Sequence, residues 1–149
     1  MKSKFKGMKL RKILLPTDFT SHSEGAVGYA AGLARSFGAS LLLLHVIEPF
    51  TYSVSDTVQV TDHYAALRTI AEPMMKNMVD ALGKKGFKAK GLIVKGTPYL
   101  EIVKKARKEG ADIIVLATHG RSGLHRLFIG SVAERVVRLA HCPVLTVRG

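Results

Sequence analysis

Cysteine is nearly absent from this chain. Cys142 is the only one, so no internal disulfide can staple the fold, and beside Val144 the thiol reads as a small core residue before it reads as a nucleophile. That usage fits a reducing compartment, and a cytoplasmic location is expected. Long apolar runs are missing as well. The longest, 41–44 with its neighbours, falls far short of the roughly 20 residues that span a bilayer. Ile13-Leu14-Leu15 breaks at once into Pro16-Thr17-Asp18, which does not suit a secretory leader. No membrane partner is expected.

Acidic residues are scarce: 11 against 23 Lys and Arg, a formal charge of +12. Such an excess attracts polyanions, yet Lys2, Lys4, Lys6, Lys9, Arg11 and Lys12 crowd into the first dozen positions. Residues 1–11 therefore read as a basic leader, expected to be mobile, ahead of one domain over 12–149. No zinc-finger spacing, RNP-like aromatic motif or helix-turn-helix pattern accompanies the charge, so nucleic acid is not the expected partner and an arm of residues 1–8 is the weaker alternative. Catalytic signatures are missing too. There is no G-x-S-x-G elbow and no complete phosphate-loop motif ending in Gly-Lys-Ser/Thr. His22, His63, His125 and His141 show no paired metal spacing, and His141-Cys142 is too small a set for zinc. No catalytic residue and no protein metal cage are expected.

What is present is an alternation. Strand-like runs rich in Ile, Val and Leu fall at Lys12–Pro16, Ser40–Ile47, 87–94, 112–118 and 143–147, and helical patterns separate them. Residues 21–37 carry Ala26, Ala30, Leu33 and Phe37 at helical spacing, with Ser21 and Glu24 as a capping box and Gly38 as the stop. A second helix over 62–82 places Leu67, Ile70, Met74, Met78 and Leu82 on one face, read as core packing, with a kink or break expected at Pro73. A third opens with Thr97 as cap and Pro98 at the first helical position and runs to 108, before Gly110. A fourth starts at Ser131. Residues 48–61 lack periodicity and read as a surface loop. Apolar strands alternating with helices specify one doubly wound α/β domain with a parallel sheet and helices on both faces.

In such sheets, ligands settle beyond the carboxyl ends of strands whose connections leave for opposite faces. Two strand ends stand out, Leu15-Pro16-Thr17-Asp18 and Ala117-Thr118-His119-Gly120. The twelve residues 119–130 are long for a strand-to-helix connection, and an ordered loop of that length is usually functional. Gly120 and Gly123 can adopt positive φ and bare their amides to a phosphate, Gly130-Ser131 opens a helix whose first amides favour anions, and Arg121 and Arg126 can add charge. A structural reading stands beside each. Ser131 and Glu134 fit a capping box, Asp18 can cap its own turn, His119 can be a solvated loop residue, and His45 on a buried strand a satisfied core group.

Residues 117–131, with Leu14-Pro16-Thr17-Asp18, Leu44-His45-Val46 and Pro143-Val144-Leu145-Thr146-Val147, resemble the universal stress protein family over nearly the whole chain. The nucleotide-binding subgroup carries glycine, two residues, glycine, nine residues, then glycine and serine or threonine. Gly120 and Gly130-Ser131 match the later elements, whereas Ala117 stands at the first glycine and adds a methyl where backbone would pass close to a ligand. The resemblance implies a five-stranded sheet in the order 3-2-1-4-5. It implies an ATP site formed by Pro16, Thr17, Asp18, Val46, Ala117, His119, Gly120, Arg121, Gly130, Ser131 and Val132, with Asp18 and the Val46 backbone at the adenosine end. Mg²⁺ or Mn²⁺ would arrive with the phosphates, Ser131 being the candidate ligand. It further implies a homodimer through edge strand 143–147, an unidentified protein partner, and a stress-response role as a nucleotide-dependent switch or scaffold with at most slow hydrolysis. The alternative is a nucleotide-free homodimeric interaction module of the same fold.

Overall fold

The computed structural model describes residues 7–49, 60–119 and 129–148. Five strands, β1 (Lys12–Pro16), β2 (Ser40–Ile47), β3 (Ala89–Lys95), β4 (Ile113–Ala117) and β5 (Val144–Val147), form one sheet in the order β3-β2-β1-β4-β5, every pair parallel. The helices are α1 (Glu24–Phe37), preceded by a 3-10 turn at Ser21–Ser23, α2 (Val60–Lys84), α3 (Pro98–Glu109) and α4 (Ser131–Leu139). The doubly wound fold and its strand order agree with the sequence reading.

The two faces follow from strand alternation. On central β1, Ile13 and Leu15 join Leu41, Leu43 and Val115 against Ala26, Ala30 and Ala34 of α1 and Met75 and Leu82 of α2. Leu14 between them joins Leu42, Leu44, Ile114 and Leu116 against Ile102 and Ala106 of α3 and Ala133 and Val136 of α4. One strand thus anchors two cores. Ile13, Leu14 and Leu15 are each fully buried, which is why this strand has no polar alternation. The domain includes the end of the basic leader: Leu10 is buried, and the Arg11 amide donates to Asp112.

Several local expectations are corrected. Gly38 and Gly110 do end α1 and α3 with left-handed φ of 66° and 65°, and Thr97 and Pro98 open α3 as expected. The Ser21/Glu24 capping box does not form, because the 3-10 turn makes Ser23 the N-cap, without a side-chain bond. Nor does Ser131/Glu134: Gly130 is the N-cap, so Ser131 lies one position inside the helix. Proline 73 neither breaks nor ends α2. It lies on the exposed side, and buried Ala71 and Met75 hold the helix to the sheet on either side of it. The core-facing stripe of α2 keeps Leu82 and half-buried Met78 as expected, but Ala71 and Met75 replace Ile70 and Met74, which are exposed at 61% and 40%. Phe37 is likewise exposed rather than core. Helix α2 begins at Val60, inside the expected surface loop; residues 50–59 of that loop lie outside the described residues.

Candidate functional site

Strands β1 and β4 are neighbours, and their connections leave for opposite faces, β1 to α1 and β4 to α4. Their paired positions end at Leu14 with Ile114. Pro16 has no N–H with which to continue a ladder, so the seam between them opens at its carboxyl end. A cavity of about 450 Å³ lies there, within the range of small-molecule sites.

Its floor is main chain. Thr17 N–H still donates to Leu44 O at 2.9 Å, and Gly96 N–H donates to Ile47 O at 3.0 Å. Because main-chain groups alternate along a strand, Val46 directs its N–H and C=O to the same edge as Leu44, past the last paired residue of β1. That is the direction of the cavity, and Val46 lines it.

The β1–α1 turn forms one lip. Asp18 Oδ1 accepts from the Thr20 amide at 3.0 Å and from the Thr20 hydroxyl, an Asx turn. Both bonds fall on one oxygen, so turn-capping and exposure of the carboxylate to the cleft coexist, and Asp18 lines the cavity. Thr17 Oγ1 accepts from the Phe19 amide at 3.0 Å and lies 3.3 Å from Ser23 Oγ, which donates to Thr20 O. These bonds hold Phe19 at a φ of +62°, a region that costs a bulky residue about 1–2 kcal/mol. Its ring lies against His45, centroids 4.5 Å apart. His45 Nδ1 is 2.8 Å from Thr17 O. A carbonyl only accepts, so Nδ1 carries the proton, as for the satisfied core group.

The opposite lip joins β4 to α4. Thr118 N–H continues the sheet by donating to Val147 O at 2.8 Å, and Thr118 O accepts from the Gly130 amide at 2.7 Å. A Cβ at 130 would lie 2.8 Å from that carbonyl oxygen, so glycine is required here by contact rather than by φ. The bond draws the start of α4 to the end of β4. Within an α-helix the amides of Ser131, Val132 and Ala133 have no helical acceptor, and all three residues line the cavity. His119 Nδ1 is 2.9 Å from Thr118 Oγ1, and the half-buried residue faces the same space. Ala117 borders the cavity while packing against the α1-side core.

Of the residues named from sequence, Pro16, Thr17, Asp18, Val46, Ala117, His119, Gly130, Ser131 and Val132 surround this one cavity. Gly120 and Arg121 lie outside the described residues, as do Gly123 and Arg126. Sequence reasoning missed an apolar wall: Leu67, Ile70, Ala71 and Met74 of α2 face the cavity with Ile102 of α3. The helical period of α2 was visible, but it was assigned wholly to the core. It also missed Phe19, for which no sequence signal exists. Among the described residues, no group of three or more His, Cys, Asp or Glu could hold a metal, and no helix is long and apolar enough to cross a membrane.

The chain matches the universal stress protein family over residues 9–148. It is 33% identical to universal stress protein MJ0577 of Methanocaldococcus jannaschii over 153 residues, spanning 93% of this chain and 94% of that one. The solved MJ0577 structure superposes with a TM-score of 0.82, covering 94% and 96% of the two chains. A universal stress protein in complex with cAMP shares the fold at TM-score 0.71 and 21% identity, covering 94% and 98%. So does the Archaeoglobus fulgidus protein in complex with dAMP, at TM-score 0.65 and 21% identity, covering 93% and 98%. Sheet order, the glycine-bearing β4–α4 connection and the family match over nearly its whole length agree: this chain belongs to the universal stress protein family.

Proposed function

We propose that the cleft binds an adenine nucleotide, ATP with Mg²⁺ or Mn²⁺, and that the protein acts in the stress response as a nucleotide-dependent switch or scaffold. The observation that carries this reading is the Gly130–Thr118 bond, which sets the first turn of α4 against the open seam. Amides of Ser131, Val132 and Ala133 there favour a phosphate through direct bonds and the helix dipole. The missing methyl at 130 lets that turn come close. Leu67, Ile70 and Met74 offer an apolar wall for a base, and Asp18 with the Val46 main chain offers acceptors and a donor to the adenosine end. Two relatives of the same fold hold adenine mononucleotides, which supports adenine over other bases. Gly120 and Arg121 belong to the proposed phosphate loop on sequence.

A divalent cation, when bound, would neutralise the phosphates, and the Ser131 hydroxyl is the candidate side chain to hold it. The sequence supplies no phosphate-loop lysine at the glycines, so charge developing on a leaving phosphate lacks its usual partner. Holding, rather than transfer, suits these residues, and hydrolysis is at most slow. The proposed location is the cytoplasm. The proposed assembly is a homodimer through β5, whose outer edge offers main-chain groups to a second copy, with a further protein partner reading the nucleotide state.

Titration of labelled ATP with Mg²⁺ tests the reading: saturable binding below millimolar that Gly130→Val weakens supports it, and its absence in the wild type defeats it. Ala117 favours the second reading, a nucleotide-free interaction module, because a methyl stands where the family pattern has glycine. Adenine nucleotide co-purifying with the protein, detected by mass, would exclude that alternative.

A further inference from the structure

In a parallel sheet with antiparallel helices, all strand starts and all helix ends share one pole, and here that pole is basic. Lys9 and Arg11 precede β1, Lys84, Lys85 and Lys88 surround the α2–β3 turn, and Arg107 and Lys108 end α3; all seven are exposed. Main-chain bonds place these segments side by side. Leu41 N–H donates to Lys88 O, Ser40 N–H to Arg11 O, and Asp112 N–H to Lys12 O, while Lys12 Nζ donates to Glu109 O at 2.7 Å. With strands about 4.8 Å apart, the cations form a ridge over the sheet end, those preceding β1 and β3 along it, those ending α2 on one face and those ending α3 on the other, and their fields add.

A structural explanation covers part of the ridge. Cations in the last turns of α2 and α3 complement the helix dipoles, but Lys9, Arg11, Lys85 and Lys88 are not in helices. The acidic residues at this pole are Glu109 and Asp112, and the Asp112 carboxylate is occupied by the amides of Arg11 and Lys12. The ion pairs among the described residues, Arg68–Glu72, Lys76–Asp80, Lys104–Glu101 and Arg138–Glu134, touch none of the seven. The charge excess, which in sequence seemed to belong to the leader, is also a property of the folded domain.

We infer that this ridge binds the phosphate backbone of duplex nucleic acid without reading its sequence. Duplex nucleic acid carries about one charge per 1.7 Å of its axis, so cations spread over a whole sheet end meet many phosphates at once. Five of the seven are lysines, point charges suited to phosphate contact rather than to the paired bonds that read base edges. The cleft lies at the other end of the strands, about 17 Å away along a five-residue strand, so both can be occupied together.

The test uses the full-length protein and a fluorescent mixed-sequence DNA duplex, with binding measured across salt concentration. Binding in low salt, with log K falling linearly against log salt, is expected, and Lys84→Gln/Lys85→Gln/Lys88→Gln should lower the slope by about 2–3 and affinity at low salt at least tenfold. Arg68→Gln/Lys76→Gln/Lys104→Gln, inside α2 and α3 and away from their ends, removes equal charge elsewhere and should bind nearly as wild type. No duplex binding at low salt, equal losses in both triples, or retention on phosphatidylserine vesicles without DNA binding would each overturn the inference. Unchanged melting temperatures in the ridge triple exclude misfolding as the cause of a loss.

Discussion

The amide of Gly130 donates to the carbonyl of Thr118 at 2.7 Å, and a Cβ on residue 130 would stand 2.8 Å from that same oxygen. The bond that seats α4 beside the sheet is therefore the bond that any side chain would push apart. Gly130→Ala should raise the Kd for ATP about tenfold or more, equivalent to about 1.4 kcal/mol, and Gly130→Val more. The obstructing atom is backbone, which cannot swing away. Titration of both variants beside the wild type checks the order, and equal affinities across the three would contradict it.

Phe19 offers a test of strain. Phe19→Ala and Phe19→Gly both delete the ring that lies against His45, but only glycine relieves the φ of +62°. The glycine variant should be more stable than the alanine variant by about 1 kcal/mol, a reversal of the usual penalty for glycine. Urea unfolding of the pair measures the difference.

Asp112 ties the start of β4 to the start of β1. The Arg11 amide, and then the Lys12 amide, hold its carboxyl below the usual carboxylate range, against the opposing effect of desolvation. A depressed folded pKa means the stabilisation is complete above the unfolded value of about 3.9 and disappears as pH falls through the lower folded value. Asp112→Asn should cost about 1 kcal/mol at neutral pH, kept small by solvent screening, and the gap from wild type should close on acidification. Denaturation curves across pH 2–7 would show it; a gap that widened toward acid would contradict the sign.

Gly91 on β3 faces buried Met75: a Cβ there would lie 2.4 Å from Met75 Cγ and 2.6 Å from Sδ. Gly91→Ala should destabilise by about 1–3 kcal/mol through overpacking. Adding Met75→Ala should cost less in that background than in wild type, with a coupling of about 1 kcal/mol. A double-mutant cycle in urea provides the number.

The proposed dimer has an edge that can be blocked selectively. Carbonyls of Pro143 and Val147 accept from β4, so alternation turns the Thr146 main chain outward. Thr146→Pro removes an outward donor without touching the inner ladder. Light scattering should read twice the 16.2 kDa chain mass for the wild type and a single chain for the variant. A dimeric variant would move the interface elsewhere.

Much of this architecture was legible in the sequence for local reasons. Uninterrupted apolar runs at Ile13-Leu14-Leu15 and 41–44 required strands covered on both faces, and Gly38, Gly110 and Pro98 marked helix ends through their own backbone preferences. The β4 and β5 boundaries moved by only a residue or so. The serine caps failed because capping depends on where the chain enters the helix: Ser21 fell within a 3-10 turn and Ser131 inside α4.

Period and composition, properties of neighbouring residues, determined by themselves that this is an α/β chain with a long glycine-bearing connection after its fourth strand. Tertiary structure decided which side of α2 meets the sheet. Small Ala71 and flexible Met75 pack onto it, Met75 against Gly91, so Ile70 and Met74 turn to the cleft. It decided the strain at Phe19, the open seam beyond Pro16, and the convergence of Arg11, Lys88 and Lys108 on one pole. Each of these depends on strands that lie side by side in space while many residues apart in the chain, and no local preference encodes that adjacency.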